Sequence, residues 1–349
     1  MSQTGRKIKR NQSLECCRMI AAFFVVIIHT QFPGPMHEFV NCVGRFAMPL
    51  FFGISGYFSL GAGSRKLGRR FASVLRLNVI ASAACLLLSC SLAVCRGEGL
   101  LSYVRSVFPS MRGLSNWLFL NINPFGGHLW YLAAIAVCYG MLWGYVRFFE
   151  ADQVDYRPLY AVSAALFFIR FAVGDVLRSI GLGIPFYLCR DGLFLGLPMF
   201  SLGLFLRQHR DRIISGFSLT PGRLAALFAA GTILSLFQMQ GIGTGELPFG
   251  AVIQGASMIL LCTMRPAVCT EGSVGAKAIA SFGFLSTAIY VIHMNAIDAY
   301  QLFLEPALGA GLGGLEPWLR PLLVFALTLA AGVLIHQAYA AVRKLLSRT

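Results

Sequence analysis

The sequence predicts an all-α fold: a polytopic integral membrane helical bundle of about ten transmembrane helices, with both termini in the cytoplasm. Three observations predict it. Of 349 residues, 57% are apolar, only 12% are charged and the mean hydropathy is +0.70, more apolar surface than a water-soluble fold requires. Ten apolar stretches are each long enough to cross roughly 30 Å of hydrocarbon. Nineteen of the 29 Lys and Arg fall on the side of the amino terminus, eight on the other and two within spans. That bias is the one that places basic loops in the cytoplasm. The composition excludes a disordered chain, a coiled coil and a small disulfide scaffold. The net charge of +15 belongs to the loop bias, so the expected environment is a lipid bilayer and no nucleic acid is expected as a partner. The chain divides into a basic tail over residues 1–13, a single transmembrane domain over 14–342 and a short basic tail over 343–349.

Each span has its own justification. The first, Leu14 to Phe32, follows Arg6, Lys7, Lys9 and Arg10 as a signal peptide would. It lacks a small-x-small cleavage site and carries Arg18 and His29, so it reads as retained. The second, Val43 to Leu60, holds Gly53, Ser55 and Gly56, small residues that let another helix or a ligand approach the backbone. A basic loop, Arg65-Lys66-Leu67-Gly68-Arg69-Arg70, precedes the third span, Ala72 to Val94, with Arg76 inside it. The link over residues 96–127 contains Phe108, Pro109, Trp117 and Pro124, too apolar for a free linker and too interrupted for a span. It reads either as a re-entrant or surface-lying segment or as a packed loop with interfacial aromatics. The fourth span, His128 to Phe149, opens on Trp130 and Tyr131, residues typical of the membrane interface. Spans five to eight, Leu159 to Val173, Ile184 to Leu206, Leu224 to Gln240 and Leu247 to Met264, are apolar runs flanked by Arg157, Arg207, Arg223 and Arg265. The ninth, Ser281 to Leu304, carries Ser286, Tyr290 and His293 on one helix face, and the tenth, Leu319 to Val342, ends at Arg343 and Lys344.

The ten cysteines form no C-x-x-C pair, and Cys85, Cys90, Cys138, Cys189 and Cys262 lie inside apolar runs as small buried hydrophobes would. No zinc-protease helix, phosphate-binding loop or dinucleotide glycine fingerprint is present, and no metal is expected.

The polar residues of the first span are the most informative. Asn11, Glu15, Arg18 and His29 stand in or beside a run that should be apolar, and an ionisable group there faces a polar cavity or a partner. Glu15 and Arg18, three apart, can pair on one face, which by itself is a structural role. His29 lies eleven residues after Arg18, so the two are within about 20° of one face and roughly 16 Å apart along the axis. A lone membrane histidine can simply hold helices together. Paired with a fixed cation it also suits acid–base chemistry on an anionic donor, because a general base needs a pKa near working pH and a guanidinium grips anions. The basic Arg65–Arg70 segment reads as positive-inside anchoring or as a mouth for a phosphorylated ligand. His293 with Asn295 and Asp298 reads as a buried polar cluster or part of a site.

Four blocks in order give the chain a resemblance to the membrane-bound acyltransferase-3 family, which includes bacterial O-acetyltransferases of surface polysaccharides. They are Arg18-x10-His29 with Asn11 and Glu15 before it, where the family commonly has Asp; Arg45 to Tyr57, Arg-Phe-x-x-Pro-Leu-Phe-Phe-x-x-Ser-Gly-Tyr, with the basic segment behind it; His128-x-Trp130-Tyr131-Leu132; and Tyr290-Val-Ile-His293. The resemblance spans about Asn11 to Val342 and looks like the bare membrane module. It implies an integral protein of the bacterial cytoplasmic membrane that transfers an acyl group, commonly acetyl, from acyl-CoA to a hydroxyl of a glycan or lipid-linked acceptor, with no resident cofactor. Under that resemblance His29 is the general base, with an acyl-imidazole as the variant, and Glu15 orients Arg18. Arg18, Arg65, Lys66, Arg69, Arg70 and Arg76 serve the CoA donor. Arg45, Ser55, Tyr57, His128, Trp130, Tyr131, Tyr290 and His293 form the acceptor pocket. A carrier or flippase for a surface-polymer precursor, and a noncatalytic relative, are the competing readings of the same polar residues.

Overall fold

The computed structural model describes residues 11–108, 110–149, 154–182, 189–242 and 247–346. Among them every regular element is helical. In chain order these are α1 (Gln12–Thr30), α2 (Pro35–Gly44), α3 (Ala47–Tyr57), α4 (Ser64–Cys95), α5 (Leu100–Val107), α6 (Met111–Leu120), α7 (Trp130–Phe148), α8 (Arg157–Phe171) and the single turn α9 (Leu177–Ser179). They continue as α10 (Leu197–Gly216), α11 (Pro221–Gly241), α12 (Phe249–Met264), α13 (Val274–Ala299), α14 (Glu305–Leu312) and α15 (Glu316–Leu346). The starts are set locally. Asn11, Thr220 and Ser273 cap α1, α11 and α13, each accepting a backbone N–H three residues on. Pro35 and Pro221 occupy first-turn positions where no N–H is missed.

Seven helical stretches among the described residues are long and apolar enough to cross a membrane, the last of them, Val274–Leu346, containing both α13 and α15. α12 is a shorter apolar helix, and α10 has an apolar first half followed by Arg207, Arg210, Asp211 and Arg212. The chain is therefore an all-α polytopic membrane protein. Two sequence expectations change and a third takes definite form. The second span is two helices, α2 and α3, parting at Arg45–Phe46. The Arg65–Arg70 segment is no loop but the first turns of α4, which runs for 32 residues; Lys and Arg are good helix formers, so the helix continues past the hydrocarbon boundary. The 96–127 link folds into α5 and α6, and its aromatic residues Phe108 and Trp117 pack edge-on against Phe125. Residues 184–188 of the expected sixth span lie outside the described residues; its remainder is a π-helical turn, Gly192–Gly196, running into α10.

Packing places α1 inside the bundle, against α13, α15, α3 and α2. Small residues permit the closest crossings. A Cβ on Gly56 would lie 1.8 Å from the Phe200 carbonyl oxygen, and one on Gly203 would lie 1.9 Å from that of Gly53, so α3 and α10 touch backbone to backbone. Gly250 meets the Gly231 carbonyl in the same way, joining α11 to α12. Val79, Ile80 and Leu87 of α4, Phe237 of α11 and Leu334 of α15 face outward, as lipid contact requires. All ten cysteines are free, and six of them, Cys17, Cys42, Cys85, Cys138, Cys189 and Cys262, are buried. The start of α1 is tied to the connection between α12 and α13. The Asn11 amide donates to the Cys262 carbonyl at 2.9 Å, and Gln12 Oε1 accepts from the N–H groups of Val268 and Cys269 at 2.8 and 2.7 Å.

Candidate functional site

α1, the α2–α3 junction, α4, the start of α7 and α13 line an open cavity of about 750 Å³. The first helix supplies Arg18, Val25, Ile28 and His29 to its wall, so the two residues aligned by spacing do share one space. Glu15 stands behind Arg18 at 3.5 Å. It fits there because α13 carries Gly283 opposite, where a Cβ would sit 2.7 Å from Glu15 Oε2. The α2–α3 junction contributes Arg45, α3 contributes Phe51 and Ser55, and α13 contributes Ser286, Thr287, Tyr290, His293, Met294, Asn295 and Asp298.

Three histidines, His29, His293 and His128, converge on the wall of this cavity. The His29 and His293 ring centres are 5.1 Å apart, and those of His293 and His128 are 4.8 Å apart. His29 is exposed, His128 is buried, and His293 is fully buried with its ring at the wall. Two of the rings are fixed by consecutive carbonyls of α13. His293 Nδ1 donates to the Tyr290 carbonyl at 2.7 Å, and His128 Nε2 donates to the Val291 carbonyl at 2.8 Å. Each carbonyl has a second lone pair to give, so the helix keeps its own ladder. The Tyr290 hydroxyl closes the arrangement by donating to the His128 carbonyl. Tyr131 packs edge-on against both Tyr290 and Phe52. Among the described residues no group of three His, Cys, Asp or Glu side chains is placed to hold a metal ion.

A bundle that holds an aligned arginine and histidine of its first helix on the wall of one largely apolar cavity suits group transfer inside a membrane. The acyltransferase-3 family model, described as an acyltransferase domain, matches residues 11–337. The chain belongs to the acyltransferase-3 family. No curated protein and no solved structure matches it.

The acyltransferase brings together most of the residues expected from its sequence. Arg18, His29, Arg45, Ser55, His128, Trp130, Tyr131, Tyr290 and His293 all line the cavity. Tyr57 does not. It is buried away from the wall, accepting from Arg207 Nη1 at 3.1 Å with the guanidinium 5.1 Å over its ring, because it falls at the far end of α3 beside α10. Arg65, Lys66, Arg69, Arg70 and Arg76 also lie outside the wall. Arg65, Lys66, Arg69 and Arg76 are exposed along α4, whereas Arg70 donates to the Phe58 carbonyl and Ser59 hydroxyl and fixes the end of α3. Sequence reasoning missed Arg190, Ser89 and Thr287. Arg190 donates to the Gly127 carbonyl at 3.2 Å and lies 4.9 Å over the Trp130 ring, a contact between distant segments that no local pattern announces. Ser89 accepts from the Asn295 amide at 2.9 Å, joining α4 to α13.

Proposed function

We propose that this membrane acyltransferase moves an acyl group, acetyl foremost, from acyl-CoA to a hydroxyl of a cell-surface glycan or lipid-linked acceptor at the bacterial cytoplasmic membrane. The reading takes the chain to cross ten times with both termini in the cytoplasm. The observation that supports it most is the placement of Arg18 and His29 on the wall of one cavity, roughly 16 Å apart along α1. An extended pantetheine arm suits that separation. The nucleotide end stays near the amino-terminal end of α1, where Arg18 and the exposed cations Arg65, Lys66 and Arg69 draw in its phosphates. The thioester then meets His29.

In this scheme an unprotonated His29 nitrogen takes the proton of the acceptor hydroxyl as its oxygen attacks the thioester carbonyl. The tetrahedral intermediate collapses, the C–S bond breaks, and the CoA thiolate leaves and takes the proton from the His29 imidazolium. Arg45, Ser55, Trp130 and Tyr131 line the acceptor side of the reaction.

The test is acetyl-CoA binding and slow hydrolysis by purified protein in nanodiscs, wild type beside His29→Ala. The expected outcome is binding by both, with hydrolysis falling by 10²-fold or more in the variant. Retained hydrolysis in His29→Ala removes the histidine from the reaction. Failure of the wild type to bind any acyl-CoA favours a carrier instead.

A further inference from the structure

We propose that His293 is a positioning residue for His29: its Nε2 accepts a hydrogen bond from a ring N–H of His29 and so leaves the other His29 nitrogen unprotonated toward the acceptor. The inference rests on the acyl-transfer reading only for its activity readout.

The argument starts from proton placement. His293 Nδ1 gives its proton to the Tyr290 carbonyl, so Nε2 of the neutral ring is an acceptor. That nitrogen is buried and has no partner, although the ring lies on the cavity wall. An orphaned buried acceptor is costly, which makes it a place where a donor belongs. His128 cannot supply one, since its Nε2 proton is already given to the Val291 carbonyl and its Nδ1 is likewise an acceptor. Of the three rings, His29 alone commits no proton to a backbone carbonyl. Its ring centre is 5.1 Å from that of His293. Each ring nitrogen sits about 1.1 Å from its ring centre, so facing nitrogens would be about 2.9 Å apart, the length of a hydrogen bond. The rings are inclined by 40°, and the proposed contact forms by rotation about the outer His29 side-chain bond that turns a ring nitrogen toward His293.

The device resembles a carboxylate behind a catalytic histidine, with a neutral imidazole in the carboxylate's place. His293 holds one tautomer of His29 and takes part of the charge when His29 is protonated. The groups facing His29 are His293 from α13, His128 from the turn before α7, Arg190 ahead of the Gly192–Gly196 turn and Arg45 from the α2–α3 junction. No carboxylate is among them, Asp298 lying on the same wall five residues beyond His293 along α13, so orientation falls to the neutral acceptor.

Two substitutions separate this role from simple packing. In His293→Asn the amide can still donate to the Tyr290 carbonyl, which preserves the anchor, but nothing remains at the Nε2 position. In His293→Gln the amide oxygen reaches that position. The experiment measures acetyl-CoA hydrolysis and nitrogen-15 histidine spectra in nanodiscs, with the His29 signals assigned by their loss in His29→Ala. The expected result is a fall in kcat of about 10²-fold for His293→Asn, with KM for acetyl-CoA within about twofold and partial recovery in His293→Gln. The double variant His29→Ala/His293→Asn should be no slower than His29→Ala alone, because one residue acts through the other. His29 should show one tautomer in wild type and an exchanging mixture in His293→Asn. Unchanged His29 spectra in His293→Asn, or additive losses in the double variant, overturn the proposal. A fixed tautomer released by His293→Asn in a protein that hydrolyses no acyl-CoA supports the His293 role while removing the acyl-transfer reading.

Discussion

Glu15 and Gly283 are the residue pair that sets the Arg18 end of the cavity. The carboxylate that faces Arg18 occupies the volume a side chain at 283 would take, so the small residue on α13 and the ion pair on α1 depend on each other. Gly283→Ala is expected to push the carboxylate aside, leave the bundle folded because the clash is with the far end of a flexible side chain, and lower turnover by about tenfold through displacement of Arg18. Measuring acetyl-CoA hydrolysis beside expression level checks it; unchanged turnover would reduce the Glu15–Arg18 contact to packing. At this scale legibility followed distance along the chain. Arg18 and His29 share one helix, so their common face is fixed by 3.6 residues per turn and could be read directly. The meeting of His128 with His293, and of Arg190 with Trp130, depends on how separate helices cross. Nothing in the local sequence around position 190 marks it.

Among the elements, the α3–α10 crossing is the tightest described, with Gly56 and Gly203 each facing a backbone carbonyl of the other helix. A methyl group cannot be accommodated by rotating a side chain there, because the obstacle is main chain. Gly56→Ala or Gly203→Ala is therefore expected to destabilise the fold by about 3 kcal/mol or more, whereas Gly144→Ala on the open side of α7, with nothing near its would-be Cβ, should be neutral or stabilising by up to about 1 kcal/mol. Thermal stability in detergent for the three variants checks the contrast, and equal midpoints would mean that the helices separate at little cost. Gly53 and Gly56 were legible as close-approach positions, but their partner was not, since hydropathy gives no account of which helices touch. The same limitation explains α4. A window that tracks hydrocarbon stops at charged residues, whereas hydrogen bonding along a helix does not, so Arg65 to Arg70 have the pattern of a loop and the structure of a helix.

For the whole molecule the composition was decisive because a bilayer permits few architectures: backbone polar groups must be satisfied within the span, so a chain this apolar folds as helices. The bias of basic residues predicts that a reporter fused after Thr349 reads cytoplasmic; an outside signal would overturn the even span count. What composition could not reveal is that the site gathers residues from the two ends of the chain. α1 supplies Arg18 and His29, yet the helices that enclose it include α13 and α15, and its first residues are tied to the connection ahead of α13. This gives the bundle an order in time. Between Thr30 and Val274 a ribosome must add about 240 residues, which takes roughly 12–50 s at 5–20 residues per second. Through that interval α1 is in or at the membrane with an acid and a histidine whose neighbours on α13, Gly283 and His293, do not yet exist. Something else, whether water, headgroups or the insertion machinery, must hold it until the carboxy-terminal helices arrive, so α1 is made well ahead of the helices that complete its surroundings.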